Sequence, residues 1–166
     1  VTDDIIRVGA IADLSGILAP LVIQIIDAQT SYWDMVNDHG GIDRKQVEFV
    51  VLDNGYDVAT HLELYEAMKD EDSGVVFLSH STGSPHTAAI AESLVEDDLG
   101  AIPYSWYSGW PDPAFGQNVF ESYTNYCYEA MNGVDWLANN VVEGDAKLAV
   151  ISYPGEYGQD GATGAK

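Results

Sequence analysis

Six short apolar runs, ended by turn residues and mostly separated by stretches of helical periodicity, limit what this chain can fold into. They fall at residues 5–12, 47–52, 75–78, 101–105, 119–122 and 147–152. A near-continuous apolar strand is buried on both faces, and such strands alternating with helices form a parallel sheet covered on both sides. In the first helical stretch Val22, Ile25, Ile26, Gln29, Trp33 and Val36 recur at three- and four-residue steps. Gly40 and Gly41 stop it, since glycine tolerates the left-handed conformation that closes a final turn. A second helix is predicted over 58–70 and a third up to about Asp97, with Ser84 as N-cap and Pro85 at the first helical position. A fourth is predicted over 125–140. The fold class expected is α/β, a doubly wound parallel sheet. The order stops where a helix should follow the sixth strand, so a part of something longer is expected.

Charge narrows the partners. The chain holds 27 acidic residues against 6 basic ones, a net charge of −21 over 166 residues. That balance excludes nucleic acid and anionic membrane surfaces as partners. No run reaches the roughly 20 apolar residues of a transmembrane helix. No signal peptide leads the chain, which is expected to be cytosolic or already processed. The one cysteine, Cys127, has no internal disulfide partner and reads as a small buried apolar residue.

Open parallel sheets bind ligands at the carboxyl ends of their strands. Those ends carry residues 13–16, Asp53 and Asn54, 81–84, 105–110 and 153–158. Thr82, Gly83, Ser84 and Pro85 supply two hydroxyls and a helix N-terminus, whose free N–H groups attract an anion. The plainer alternative is that Ser84 only caps its helix. Tyr104, Trp106, Tyr107 and Trp110 form an aromatic loop that can wall a pocket or simply pack at an edge. Asp53-Asn54-Gly55 reads as a turn.

Catalytic and cofactor signatures fail. Gly155, Gly158, Gly161 and Gly164 match neither the dinucleotide fingerprint nor the phosphate-binding loop. His80 and His86 flank the serine-rich loop without a nucleophile elbow, and the four histidines lack metal-ligand spacing. No enzyme activity, cofactor or metal is expected.

The motifs "IRVGAIADLSG", "NDHGGIDRKQVEFVVLDN", "GVVFLSHSTGS", "AIPYSWYS" and "KLAVISYPGEYGQDG", in that order, resemble the extracellular solute-binding proteins of ABC transporters. The group most similar is type I, the branched-chain-amino-acid-binding kind. The resemblance implies two α/β lobes closing over a solute, with 1–124 as lobe one and 125–166 as the start of lobe two. It implies a crossover near residues 122–125, a permease partner, and a periplasmic or extracellular location after loss of a signal peptide. Carried over by position, the carboxylate-binding serine loop falls on Thr82, Gly83 and Ser84. The second ligand loop falls on Ser105, Trp106 and Tyr107, and the cleft tyrosine of lobe two on Tyr157. Gly83 stands where serine is common, and Tyr107 where amino-acid binders often have threonine. The implied solute is an amino acid, an aromatic acid or a related compact acid, and the ring of Tyr107 weighs toward the acids. A receptor ectodomain would use the same lobes, and a flavodoxin-like enzyme or receiver domain the same strand order. A neighbouring permease gene favours transport, and a downstream transmembrane helix favours sensing.

Overall fold

β1 (Ile5–Ala12) lies inside the sheet, and its last five residues are buried. In this computed structural model, which describes residues 1–2, 4–69, 74–144 and 147–166, it pairs in parallel with strands on both sides. α1 (Ala19–Asp38) leads to β2 (Gln46–Asp53), and α2 (Val58–Met68) to β3 (Phe77–Thr82). α3 (Ser84–Glu96) and β4 (Gly100–Tyr104) follow, then α4 (Tyr126–Asn140) and α5 (Glu156–Gly164). The strand order is β2-β1-β3-β4, all parallel. Chain direction across the sheet therefore reverses between β1 and β3, which makes the topological switch point where such sheets hold ligands.

The two faces follow from the strand period of two. Ala10 and Ala12 turn toward Val22 and Ile26 of α1, with Phe49 and Val51 of β2 beside them. Ile11 turns the other way, into a core of Tyr65, Met68, Leu78, Ile90, Leu94 and Trp110 under α2 and α3. Full burial of each such large side chain contributes about 1.5–3 kcal/mol. Local chemistry ends the elements. The Gly41 N–H donates to the Val36 carbonyl (2.9 Å), and its φ of +74° closes α1 as the glycine pair predicts. The Asp57 carboxylate caps α2 by accepting from the Thr60 N–H (2.7 Å), and the Asn125 side chain caps α4 through the Tyr128 N–H (3.0 Å).

Five expectations are corrected. β3 runs from Phe77 to Thr82 rather than over 75–78. Its polar half, Ser79 to Thr82, stays in the sheet because each side chain there finds a hydrogen-bond partner. Residues 119–122 form no strand; Val119 makes a single parallel bridge to Ala101. Residues 147–152 also form none, since no described strand lies beside them to accept a ladder, and Ile151 is fully exposed. The helix expected only after the order stops is already present, as α5 over residues 156–164. Finally, the N-cap of α3 is Gly83, which makes Ser84 the first helical residue and Pro85 the second. Proline remains compatible there, because first-turn amides have no intrahelical partner. The predicted α2 end at residue 70 lies outside the described residues.

Candidate functional site

Three strand ends and one helix start converge at the switch point. Gly83, between β3 and α3, holds φ +100° and ψ 141°. Its backbone amide donates to the Tyr104 carbonyl at the end of β4 (3.3 Å). The first turn of α3 therefore faces the edge of the sheet, with the amides of Ser84 and His86 lacking intrahelical acceptors. Ser84 is only 3% exposed, and its Oγ lies 2.6 Å from Ser105 Oγ. Trp110 Nε1–H donates to Ser105 Oγ (3.3 Å). When Ser105 passes its own proton on to Ser84, the Ser84 O–H is left to donate outward, and an anion is the partner that suits it.

A cavity of about 350 Å³ opens here, lined by Gly83, Ser84, Tyr104, Trp106, Tyr126 and Tyr157 among others. Of the residues predicted for the site, Gly83, Ser84, Trp106 and Tyr157 line it. Thr82 does not; its hydroxyl accepts from the Asp13 N–H (3.2 Å) and meets His80 Nε2 (2.7 Å). Ser105 stands behind Ser84, fully buried. Tyr107 turns away and packs edge-on against Trp110 and Phe115, with centroids 5.3 and 5.9 Å apart. The aromatic loop thus splits, Trp106 facing the cavity while Tyr107 and Trp110 join the core. Trp106 Nε1 is buried and has no hydrogen-bond partner among the described residues.

Pro85, singled out with Ser84 at the helix start, also lines the wall, and Leu18, Tyr56 and Tyr126, which sequence reasoning did not single out, complete it. For Tyr56 the available signal was its place just after the β2 end. It has φ +60°, unusual for a bulky residue, and its N–H is held by Asn54 Oδ1 (2.9 Å). Its ring lies 4.6 Å from that of His86. Burial pushes the Tyr56 phenol up, and nearby Tyr126, Asp13 and Tyr157 add to the shift. His86 is 1% exposed, and neither ring nitrogen has a partner within hydrogen-bond geometry among the described residues. Burial holds its pKa down against the opposing influence of the Tyr56 backbone, Asp13 and Asp57.

Behind the wall, Asp13 is fully buried and accepts from the Gly16 and Leu18 amides (2.5 and 2.7 Å), fixing the loop into α1. On the far side, Asp160 of α5 accepts from the Ser108 N–H (2.9 Å) and from Ser108 Oγ (2.5 Å). This contact ties α5 to the loop after β4, and the backbone Tyr126 N–H to the Trp106 carbonyl (2.8 Å) ties α4 to it. Glu121 lies near, its carboxyl raised by burial and then by the Asp160 charge. Asp160→Ala leaves both Ser108 donors unpaired and should cost about 1–2 kcal/mol in urea unfolding of the full-length protein. An unchanged midpoint would show that Ser108 finds another acceptor.

A doubly wound parallel sheet with a lined cavity at its switch point is the α/β architecture that holds ligands at its strand ends. The chain belongs to the periplasmic binding protein family, whose model matches residues 5–166. It is similar in structure to a fatty acid ABC transporter substrate-binding protein from Thermomonospora curvata, with a TM-score of 0.91 and 30% identity. That match covers 99% of this chain and 41% of the other. A Rhodopseudomonas palustris ABC transporter solute-binding protein in complex with 4-hydroxybenzoate superposes with a TM-score of 0.79 at 18% identity, over 98% of this chain and 42% of that one. The branched-chain amino acid transporter substrate-binding protein of Streptococcus pneumoniae, in complex with isoleucine, gives 0.72 and 21%, over 82% of this chain and 39% of that one. These last two likenesses show the type I fold, and the chain spans about two fifths of the length of all three. A comparison with curated proteins finds no match.

Proposed function

We propose that this chain is the ligand-capturing part of an extracellular or periplasmic solute-binding protein that delivers a small organic acid to an ABC-type permease. Residues 1–124 are its first lobe and 125–166 the start of its second, joined near residues 122–125. The observation that carries this reading is the composition of the cavity wall. Tyr104, Trp106 and the Ser84 helix start come from the first part, and Tyr126 and Tyr157 from the second. A solute held there touches both parts, so binding favours the arrangement in which they meet. Ser84 Oγ and the α3 amides receive the acid group, while Ser105 holds that helix start in place from behind. Among the described residues the wall pairs no nucleophile with an adjacent base, which supports a solute bound and released unchanged.

Ser84→Ala in the full-length protein should weaken binding of a carboxylate solute by about 2 kcal/mol, the cost of a lost hydrogen bond to a charged group. Calorimetry is the measurement, with tryptophan fluorescence reporting closure through Trp106. Aromatic acids, aliphatic amino acids and small amides form the screening set. Chemical conversion of a bound compound would overturn the binding-protein reading. Unchanged affinity in Ser84→Ala would overturn the assignment of the acid end.

A further inference from the structure

The loop after β4 is where residues 1–124 and 125–166 meet. It is gripped at three points. Ser105 Oγ meets Ser84 Oγ (2.6 Å), the Trp106 carbonyl accepts from the Tyr126 N–H (2.8 Å), and Ser108 donates twice to Asp160. Among the described residues, the side-chain hydrogen bonds that join the two parts are those two from Ser108. Its N–H reaches one carboxylate oxygen at 2.9 Å and its Oγ the other at 2.5 Å. Hydrogen bonds to an ionised acceptor are about twice as strong as neutral ones, and Asp160 is only 6% exposed.

Asp160 does not line the cavity, yet it is placed to act on it. It follows Tyr157 by three residues in α5, one turn further along the same side of the helix. Ser108 follows Trp106 by two residues in the loop. Seating Asp160 on Ser108 therefore brings Tyr157 into the wall that Trp106 shares. One charge opposes this contact. Glu121 lies just before the junction, and the Asp160 charge acts on it from the other side. Separating the parts loses the Ser108 donors and also relieves that repulsion.

We infer that Asp160 is a positioning residue that, through Ser108 and against Glu121, holds a fraction of the protein closed before a solute enters. This inference rests on the two-lobe reading above and goes beyond it, because apparent affinity scales with the fraction already in the binding arrangement. The test is the distance between spin labels on the full-length protein, at Asp34→Cys in α1 and Asn132→Cys in α4, with Cys127→Ser. Both labelled positions are exposed. Without solute the parent should show a close and a wide population. Asp160→Ala should lower their ratio about tenfold, the loss expected for hydrogen bonds to a charged group. Ser108→Ala keeps its backbone donor and should lower the ratio less, and adding it to Asp160→Ala should lower it no further. Glu121→Gln should raise the ratio. Calorimetry with benzoate, leucine and acetamide then reads the cavity, and whichever binds the parent should bind Asp160→Ala more weakly as the closed fraction falls. Ser108→Ala and Glu121→Gln decide even where Asp160→Ala folds poorly. A parent found only in the wide population overturns the inference. So does a ratio unchanged in Asp160→Ala or not raised in Glu121→Gln, and so does a lowered ratio with unchanged affinity. If none of the three solutes binds, the solute-capture reading loses its support while the distances still decide the role of Asp160.

Discussion

Gly83→Ala should destabilise the full-length protein by about 3 kcal/mol and remove most of its ligand affinity. Two independent costs add at this position. The backbone holds φ +100° with ψ 141°, a region that residues with a Cβ rarely adopt. A Cβ would also meet His86 Nδ1 at 2.3 Å, with ring atoms Cε1 and Cγ at 3.0 and 3.2 Å. His86 is enclosed between Tyr56 and His61, with centroids 4.6 and 5.5 Å away, so the ring has little room to retreat. The chain would relieve the clash by rotating the β3–α3 connection, which moves Ser84 away from Ser105 and the cavity. Urea unfolding and calorimetry read the two losses. Adding His86→Ala to Gly83→Ala should recover the steric part and leave the backbone part. A Gly83→Ala protein as stable as the parent would show that this conformation is not required.

The parallel sheet and its helical covers were legible because both depend on periodicity. β1 matches the predicted run, and α1 ends at the glycine pair. What escaped was polar structure. Ser79, His80, Ser81 and Thr82 look like a loop by composition, yet they extend β3 because Gln29, His61 and Asp13 supply partners from elsewhere in the chain and His80 and Thr82 pair with each other. Sequence spacing cannot show such pairings. Residues 147–152 failed in the opposite way, being apolar enough for a strand without a described neighbour to pair with. At the candidate site, position after a strand located Ser84 and Trp106, but position alone does not orient a side chain. Tyr107 is next to Trp106 and points into the core, while Tyr56 and Tyr126 reach the cavity from a turn and a helix start.

Acidification from pH 7 to pH 5 should cost the fold roughly 3–4 kcal/mol. The main source is a pair of histidines under the site, and His86, whose pKa burial also lowers, adds in the same direction. His61 and His80 are 0% and 2% exposed. Burial, then the nearby His86 and His80, lowers His61 to about 3, and burial lowers His80 to about 4. The hydrogen bonds give the same answer for His61. Asn54 Oδ1 accepts the Tyr56 N–H, so Asn54 Nδ2 donates to His61 Nδ1 (2.9 Å). The neutral ring then carries its proton on Nε2 and donates to Ser81 Oγ (3.2 Å), which meets Thr87 Oγ1 (2.8 Å). A second proton on Nδ1 would set two donors against each other in a buried place. In the unfolded chain both rings protonate near 6.5, so below that pH the unfolded state binds more protons than the folded one. Stability is therefore fully present above about 6.5 and falls with pH until the folded values are reached, by up to about 1.4 kcal/mol per unit for each ring. The many carboxylates titrate mainly below pH 5, which leaves the upper window to the histidines. His61→Gln should remove about half of the slope in urea unfolding at pH 7, 6 and 5. Stability that stays level across that range would mean both rings accept a proton where they stand, contrary to the packing around them.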